Sequence, residues 1–362
     1  MSIVGSILTM LLMLSILVVI HEWGHYFVAR LFKIKVNEFS IFMGPKIYSR
    51  VSKKTGMRFS IRAIPLGGYC AMEDENGEAE EKSEGSFFNK PKRVRAAVFF
   101  AGPLMNILLA LVLVIIIFSI VGYGTNTVGY IQEDGLFATY SDLSDPDFKI
   151  EVGDKITKYD GHRVLNDTEY SIFKSMDQDY ISIVTIEKPD GTVKECTFDR
   201  TPVAEGEGMQ LLGMSFEYVE HPGVFGILWH AVKYLATLVR TILYSVYWLI
   251  TGTVGLDAVT GPVGITTIVD DVITAEVSIW DKVLTLVDMA ALISVNLGVF
   301  NLLPFPGLDG GQLALVGLEA VRGGKKLPPE KQGLISFIGL AVVVVLGIVV
   351  MGNDIWRIIS GG

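Results

Sequence analysis

The chain has 362 residues, 50% of them apolar and 19% charged, and a mean hydropathy of +0.46. A soluble chain carries about 25% charge, and here the apolar residues gather into long uncharged runs, so a disordered or ordinary cytosolic protein is excluded and a polytopic membrane protein is indicated. The net charge of −9 argues against nucleic acid as a partner, and with only Cys70 and Cys196 there is neither a disulfide framework nor a CxxC zinc site.

The first uncharged run, Met1 to Ile20, has no basic start and no small-residue cleavage site. It leads directly into a charged motif, so residues 1–30 are expected to form a retained membrane helix. That motif, His21-Glu22-Trp23-Gly24-His25, is H-E-x-x-H. On a helix, positions i and i+4 share a face, so His21 and His25 can hold one zinc ion with Glu22 beside them as general base. Ionisable groups are costly in hydrocarbon and are rarely placed there without function.

Residues 31–93 form a basic loop. Within it, Phe39 to Val51 and Met57 to Met72 read as strands around Lys53-Lys54-Thr55-Gly56. A membrane-associated hairpin over 39–72 would offer an edge to which an unwound substrate could add as a strand. Glu73 to Glu84, with seven acidic residues in twelve, reads as a solvated loop. A second span is expected at 94–123.

Residues 126–201 read as a small β-rich domain. Ile181 to Ile186 alternates, Pro189-Asp190-Gly191 makes a turn, and Thr192 to Phe198 follows. Gly153-Asp154-Lys155-Ile156 and Tyr159-Asp160-Gly161-His162-Arg163-Val164, with a short helix near Thr168 to Met176, resemble the signature of PDZ domains. Residues 202–284 are expected to be an outer linker. It contains one ambiguous segment, Thr241 to Leu256, preceded by Trp229, Lys233, Tyr234 and Arg240, which reads as an amphipathic surface helix. A third span, 285–312, ends in Asn301-Leu302-Leu303-Pro304-Phe305-Pro306-Gly307-Leu308-Asp309-Gly310-Gly311, and a fourth is expected at 331–353.

Charge orients these elements. Fourteen Lys and Arg lie between Arg30 and Arg95, whereas Gly124 to Lys282 holds eleven basic residues against twenty-five acidic ones. The positive-inside rule places the first region in the cytoplasm and the acidic insert outside, with both termini outside. His162, His221 and His230 then lie in the outer insert. Asp309 ends an uncharged run in a stretch that its prolines and glycines would open, and unwound backbone in a membrane is tolerated where it lines a cavity. A carboxylate at that depth needs a cation or metal beside it.

The conjunction of H-E-x-x-H in the first span with N-x-x-P-x-P-x-L-D-G-G in a later one resembles the site-2 protease family of intramembrane zinc metalloproteases, in its bacterial branch with an extracytoplasmic PDZ insert. The resemblance implies zinc ligands at His21, His25 and Asp309, the base at Glu22, and substrate contacts from Asn296, Asn301, Pro304 and Pro306. Gly102-Pro103 with Asn106 matches the family's G-P-x-x-N element, and Gly261-Pro262-Val263-Gly264-Ile265 its G-P-V-G-I segment. Two features depart from the fuller bacterial pattern: there is one PDZ-like unit rather than two, and Gln312 stands where histidine is common. The implied fold is a polytopic α-helical membrane protein of four transmembrane helices, with the hairpin and one PDZ-like α+β domain. Four spans bring Asp309 to the depth of the histidines, whereas a fifth at 241–256 would leave it near the opposite face. The implied activity is zinc-dependent proteolysis of single-span membrane proteins, such as anti-sigma factors and remnant signal peptides, in the bacterial cytoplasmic membrane, after a first cut by a site-1-type protease. A zinc transporter or metal sensor is the alternative, and it would require further ligands along the spans.

Overall fold

The computed structural model describes residues 3–74, 84–132, 143, 145, 147–176, 181–199, 214–255 and 259–360. Most of the acidic loop at 73–84 and part of the linker, 200–213, lie outside the described residues. The chain divides into two compact units, Met1–Leu113 with Ser245–Gly362, and Val114–Tyr244.

The first unit is built on α1 (Ile3–Leu31), whose inward stripe runs through Met10, Leu17, His21, Gly24 and His25. Its serines reach other elements: Ser15 Oγ donates to Pro65 O (2.7 Å) and Ser6 Oγ to Asp270 Oδ1 (2.5 Å). The hairpin follows as expected, β1 (Val36–Val51) antiparallel to β2 (Arg58–Met72). The register folds it upon itself: residues 36–41 pair with 58–61 on one side and with 68–72 on the other. Residues 68–72 therefore form an edge. Arg62 pins the curl, donating to Glu38 Oε1 (3.0 Å), Ser40 Oγ (3.1 Å) and Gly44 O (2.7 Å). Burial opposes ionisation of Glu38, but donors from Ser60, Arg62 and Tyr69 outweigh it and bring its pKa down to about 2.

Helix α2 (Lys92–Ile120) runs antiparallel to α1, since Val98 lies against His25 and Asn106 against His21. The two helices touch closely at Gly24, where a Cβ would collide with Ala101 O and Met105 Cγ. A core of Ala29, Ile34, Val36, Phe39, Met72, Phe87, Val98 and Phe99 joins α1, α2 and the base of the hairpin.

The second unit contains a sheet in the order β7-β6-β4-β3-β8, with β3 (Tyr123–Ile131), β4 (Lys155–Tyr159), β6 (Ile181–Glu187), β7 (Val193–Asp199) and β8 (Met214–Val219); β5 (His162–Arg163) pairs with β4. The turn between β4 and β5 uses Asp160 and Gly161 at positive φ. Helix α3 (Asp167–Met176) buries Tyr170 and Phe173, with Tyr170 edge to face against Tyr159 of β4.

Helix α4 (Val224–Thr251) is longer than the segment read from the sequence, because Lys233 and Arg240 break its apolar run without breaking the helix. The Arg240 guanidinium lies 2.9 Å from the buried Glu169 carboxylate, and Asn166 Nδ2 donates to Thr237 Oγ1 (3.0 Å). Tyr244 closes an aromatic cluster with His162 and Phe173. By length and composition alone, five described helices could cross a membrane, α4 among them.

The first unit resumes with α5 (Pro262–Thr274), a helix inside what the sequence reads as linker. Proline at its first position suits a helix start, where no N–H is needed. Its cap comes from a distant part of the chain: Gly261 N and Gly264 N donate to the Asp354 carboxylate (3.1 and 2.9 Å). The third apolar segment begins earlier than expected and breaks before its end, as α6 (Ile279–Leu302) and α7 (Asp309–Val321). The last is α8 (Pro329–Ser360). Asp354 therefore lies within helix α8, whereas the expected fourth span stopped at residue 353.

Replacing Asp354 with alanine should leave the start of α5 uncapped and lower stability by about 2 kcal/mol, in the range for lost caps and charge-assisted bonds. Thermal unfolding in detergent measures this, and an unchanged midpoint would remove the capping role.

Candidate active site

One turn of α1 separates His21 from His25, so both imidazoles leave the same face, with their rings edge to face at 4.8 Å. Their Nε2 atoms are 3.1 Å apart. Asp309 Oδ2 lies 3.0 Å from His21 Nε2 and 3.3 Å from His25 Nε2. Among the described residues, this trio is the His/Cys/Asp/Glu cluster whose ligand atoms converge closely enough to hold a metal ion.

The break after α6 is what delivers Asp309. Pro304 and Pro306 have no N–H to continue a helix, Gly307 takes a positive φ, and Leu308 is extended. Helix α7 restarts at Asp309, so the carboxylate sits in its first turn. The far end of α7 is tied down by Glu319, which pairs with the buried Arg95 at the start of α2.

The donor set fits zinc. A tetrahedral ion with bonds of about 2.0–2.1 Å sets its ligand atoms about 3.3 Å apart, close to the spacings here. Among the described residues, the buried Asp309 Oδ2 meets only the two imidazole Nε2 atoms, a convergence of lone-pair atoms that a cation would satisfy. His25 Nδ1 faces Val98 O at 2.8 Å, which aims its Nε2 at the cluster. Gly102 of α2 leaves room for both rings, since a Cβ there would strike the imidazoles of His21 and His25.

Glu22 lies in the same cavity of about 460 Å³, lined also by Tyr69, Cys70, Met72, Asn301 and Asp309. Its Oε2 accepts from Cys70 N (2.9 Å) on the hairpin edge. Asn301 is thus brought to the site, with its Nδ2 donating to Leu297 O (2.8 Å). Asn296 is half-buried on α6 and does not line this cavity; Pro304 and Pro306 line a separate one with Gln312 and Ser336. Gln312 Nε2 donates to Ser336 Oγ (3.0 Å), so it joins α7 to α8 rather than entering the ligand cluster.

Sequence reasoning missed the Cys70 N–H and the Val98 carbonyl, because backbone groups carry no residue signature. It also missed the Arg95–Glu319 pair, for which the signal was available: Glu319 is an isolated acid in the apolar stretch after Asp309.

Comparison with known proteins agrees with this geometry. The family model of peptidase family M50 matches residues 9–346. A protein of Clostridium acetobutylicum, provisionally named a zinc metalloprotease, is 31% identical over 350 residues, covering 97% of each chain. Zinc metalloprotease RasP of Shouchella clausii is 28% identical, covering 98% of this chain and all of its own length. The regulator of sigma-W protease RasP of Bacillus subtilis is 27% identical, covering 98% of this chain and 99% of its own.

Proposed function

Since this chain belongs to peptidase family M50, the site-2 protease family of intramembrane zinc metalloendopeptidases, we propose that His21, His25 and Asp309 hold its zinc and that Glu22 is its general base. The observation that carries this is the meeting of three candidate ligand atoms from α1 and α7 beside a second carboxylate, Glu22, which is not among them. Bound zinc supplies a Lewis acid that polarises the scissile carbonyl and acidifies the attacking water. Glu22 takes the proton from that water and passes it to the leaving amine. Residues 68–72 form the outer strand of the folded hairpin, and residues 69–72 line the cavity, where a substrate unwound from its helix would add as a strand. Asn301, at the cavity wall, is placed to contact that strand, while Asn296, Pro304 and Pro306 would act through the shape of the broken segment.

Four spans, α1, α2, α6 and α8, suit the contacts. Helix α2 leaves the site toward the Ser6 end of α1, and α5 lies at that same end, through Asp270. We read the intervening chain as crossing the bilayer an even number of times, so that α4 is not a span; within the second unit its Arg240 and Thr237 meet Glu169 and Asn166. The β-domain is PDZ-like in its β4 signature and α3, and with the basic hairpin inside, both termini are outside. The Bacillus subtilis relative is named as a regulator of sigma-W, so the substrates we propose are single-span proteins such as anti-sigma factors, released by an upstream protease in the bacterial cytoplasmic membrane.

Purified protein reconstituted in liposomes and offered a panel of tagged single-span substrates tests this. Cleavage should stop with a zinc chelator and return with added zinc. Zinc-loaded protein that cuts none of the panel would overturn the reading.

A further inference from the structure

Asn106 has no part in the chemistry above, yet it touches the metal site. It is fully buried on α2, its Nδ2 lies 3.2 Å from His21 Nδ1, and its Oδ1 meets no donor. Its own carbonyl accepts from Ser294 Oγ of α6 (2.8 Å), so the residue stands where three helices meet.

His25 supplies the comparison. Its Nδ1 faces the Val98 carbonyl, and a carbonyl can only accept. Nδ1 therefore carries the proton, and Nε2 keeps a lone pair aimed at the cluster. His21 needs the same tautomer to offer Nε2 to a metal. An amide NH2 group facing His21 Nδ1 imposes the opposite one, with the proton on Nε2, which points at Asp309 Oδ2.

A side-chain amide can exchange its oxygen and nitrogen by a half-turn with almost no change in shape. Here the half-turn trades an unpartnered carbonyl for an unpartnered NH2 group, so the amide's own bonds do not select an orientation. The selection falls to whatever occupies the space at His21 Nε2. A proton there favours the NH2 group toward Nδ1; a metal ion there favours the oxygen.

We propose that Asn106 is a positioning residue for the metal, turning its Oδ1 to accept from His21 Nδ1–H when zinc is bound and so fixing the metal-binding tautomer. The proposal rests on the reading of His21 as a zinc ligand. It divides the labour of the G-P-x-x-N element: Gly102 makes room for the rings, and Asn106 sets the protons of one of them. The bland alternative is that Asn106 only fills space and joins α2 to α6.

Zinc affinity of the purified full-length chain, measured by competition with a chelator, separates the two. Asn106→Leu keeps the volume and removes the acceptor, while Asn106→Asp keeps both. Leucine should weaken zinc binding 10–100-fold, the usual effect of removing a partner of a metal-bound histidine, and aspartate should stay within severalfold of wild type. Asn106→Ala cannot clash and should weaken binding in the same direction as leucine, which covers a leucine variant that fails to fold. Equal losses for aspartate and alanine, accompanied by equal falls in unfolding temperature, would mean packing alone and overturn the proposal. Wild-type affinity in the leucine or alanine variant would overturn it too. Wild-type protein that binds no zinc would overturn the ligand reading itself, a failure visible before any variant is made.

Discussion

Glu22→Gln is expected to keep its full complement of zinc and lose at least about a hundredfold in cleavage rate, the lower range for general acid–base catalysis. The three converging atoms belong to His21, His25 and Asp309, so the substitution removes no ligand. Glutamine has nearly the same shape and can still accept from Cys70 N, which leaves the hairpin edge in place. It cannot take a proton from water. Metal analysis alongside a rate on one defined single-span substrate checks both halves. A rate near wild type would exclude Glu22 as the base, whereas lost zinc would make it a ligand.

Asp309→Ala should be the more destructive change. It removes one of the three proposed protein ligands, so zinc affinity should fall by more than the roughly 10–100-fold that an outer-shell partner costs. Helix α7 should survive, because alanine is a strong helix former and the Arg95–Glu319 pair still anchors its other end. Asp309→Asn, which keeps the shape and loses the charge, is the companion variant. Near-stoichiometric zinc in Asp309→Ala at micromolar concentrations would hand the third position to another residue.

The candidate site was legible in the sequence as a grouping, because the proposed chemistry needs particular side chains at fixed helical spacing. His21 and His25 share a face by arithmetic alone, and Asp309 was marked by two prolines and several glycines crowded into eight residues, which favour a break. The hairpin was legible through its alternation and its Lys53-Lys54-Thr55-Gly56 turn. What escaped depends on contacts distant in sequence. Helix α5 is capped by Asp354 of α8, and nothing near Gly261 announces that partner. The length of α4 was hidden because Lys233 and Arg240 interrupt the apolar run that defines a span, although Arg240 is accommodated by Glu169. The fold of β2 across both sides of β1 was hidden as well, since alternation predicts a strand but not which edges it leaves free.

The origin of the proposed ligands in α1 and α7 also orders events during synthesis. His21 and His25 are made first, and residues 26–308 must follow before Asp309 exists. A nascent chain therefore carries two histidines and a base through most of its own insertion without a complete metal site. Helix α1 can sit in a bilayer beside unfinished neighbours, itself included, and cut none of them. If Asp309 is the third ligand, activity would begin only once the broken segment after α6 has been made and α7 has joined α2 through Glu319 and Arg95, a delay that needs no separate inhibitor.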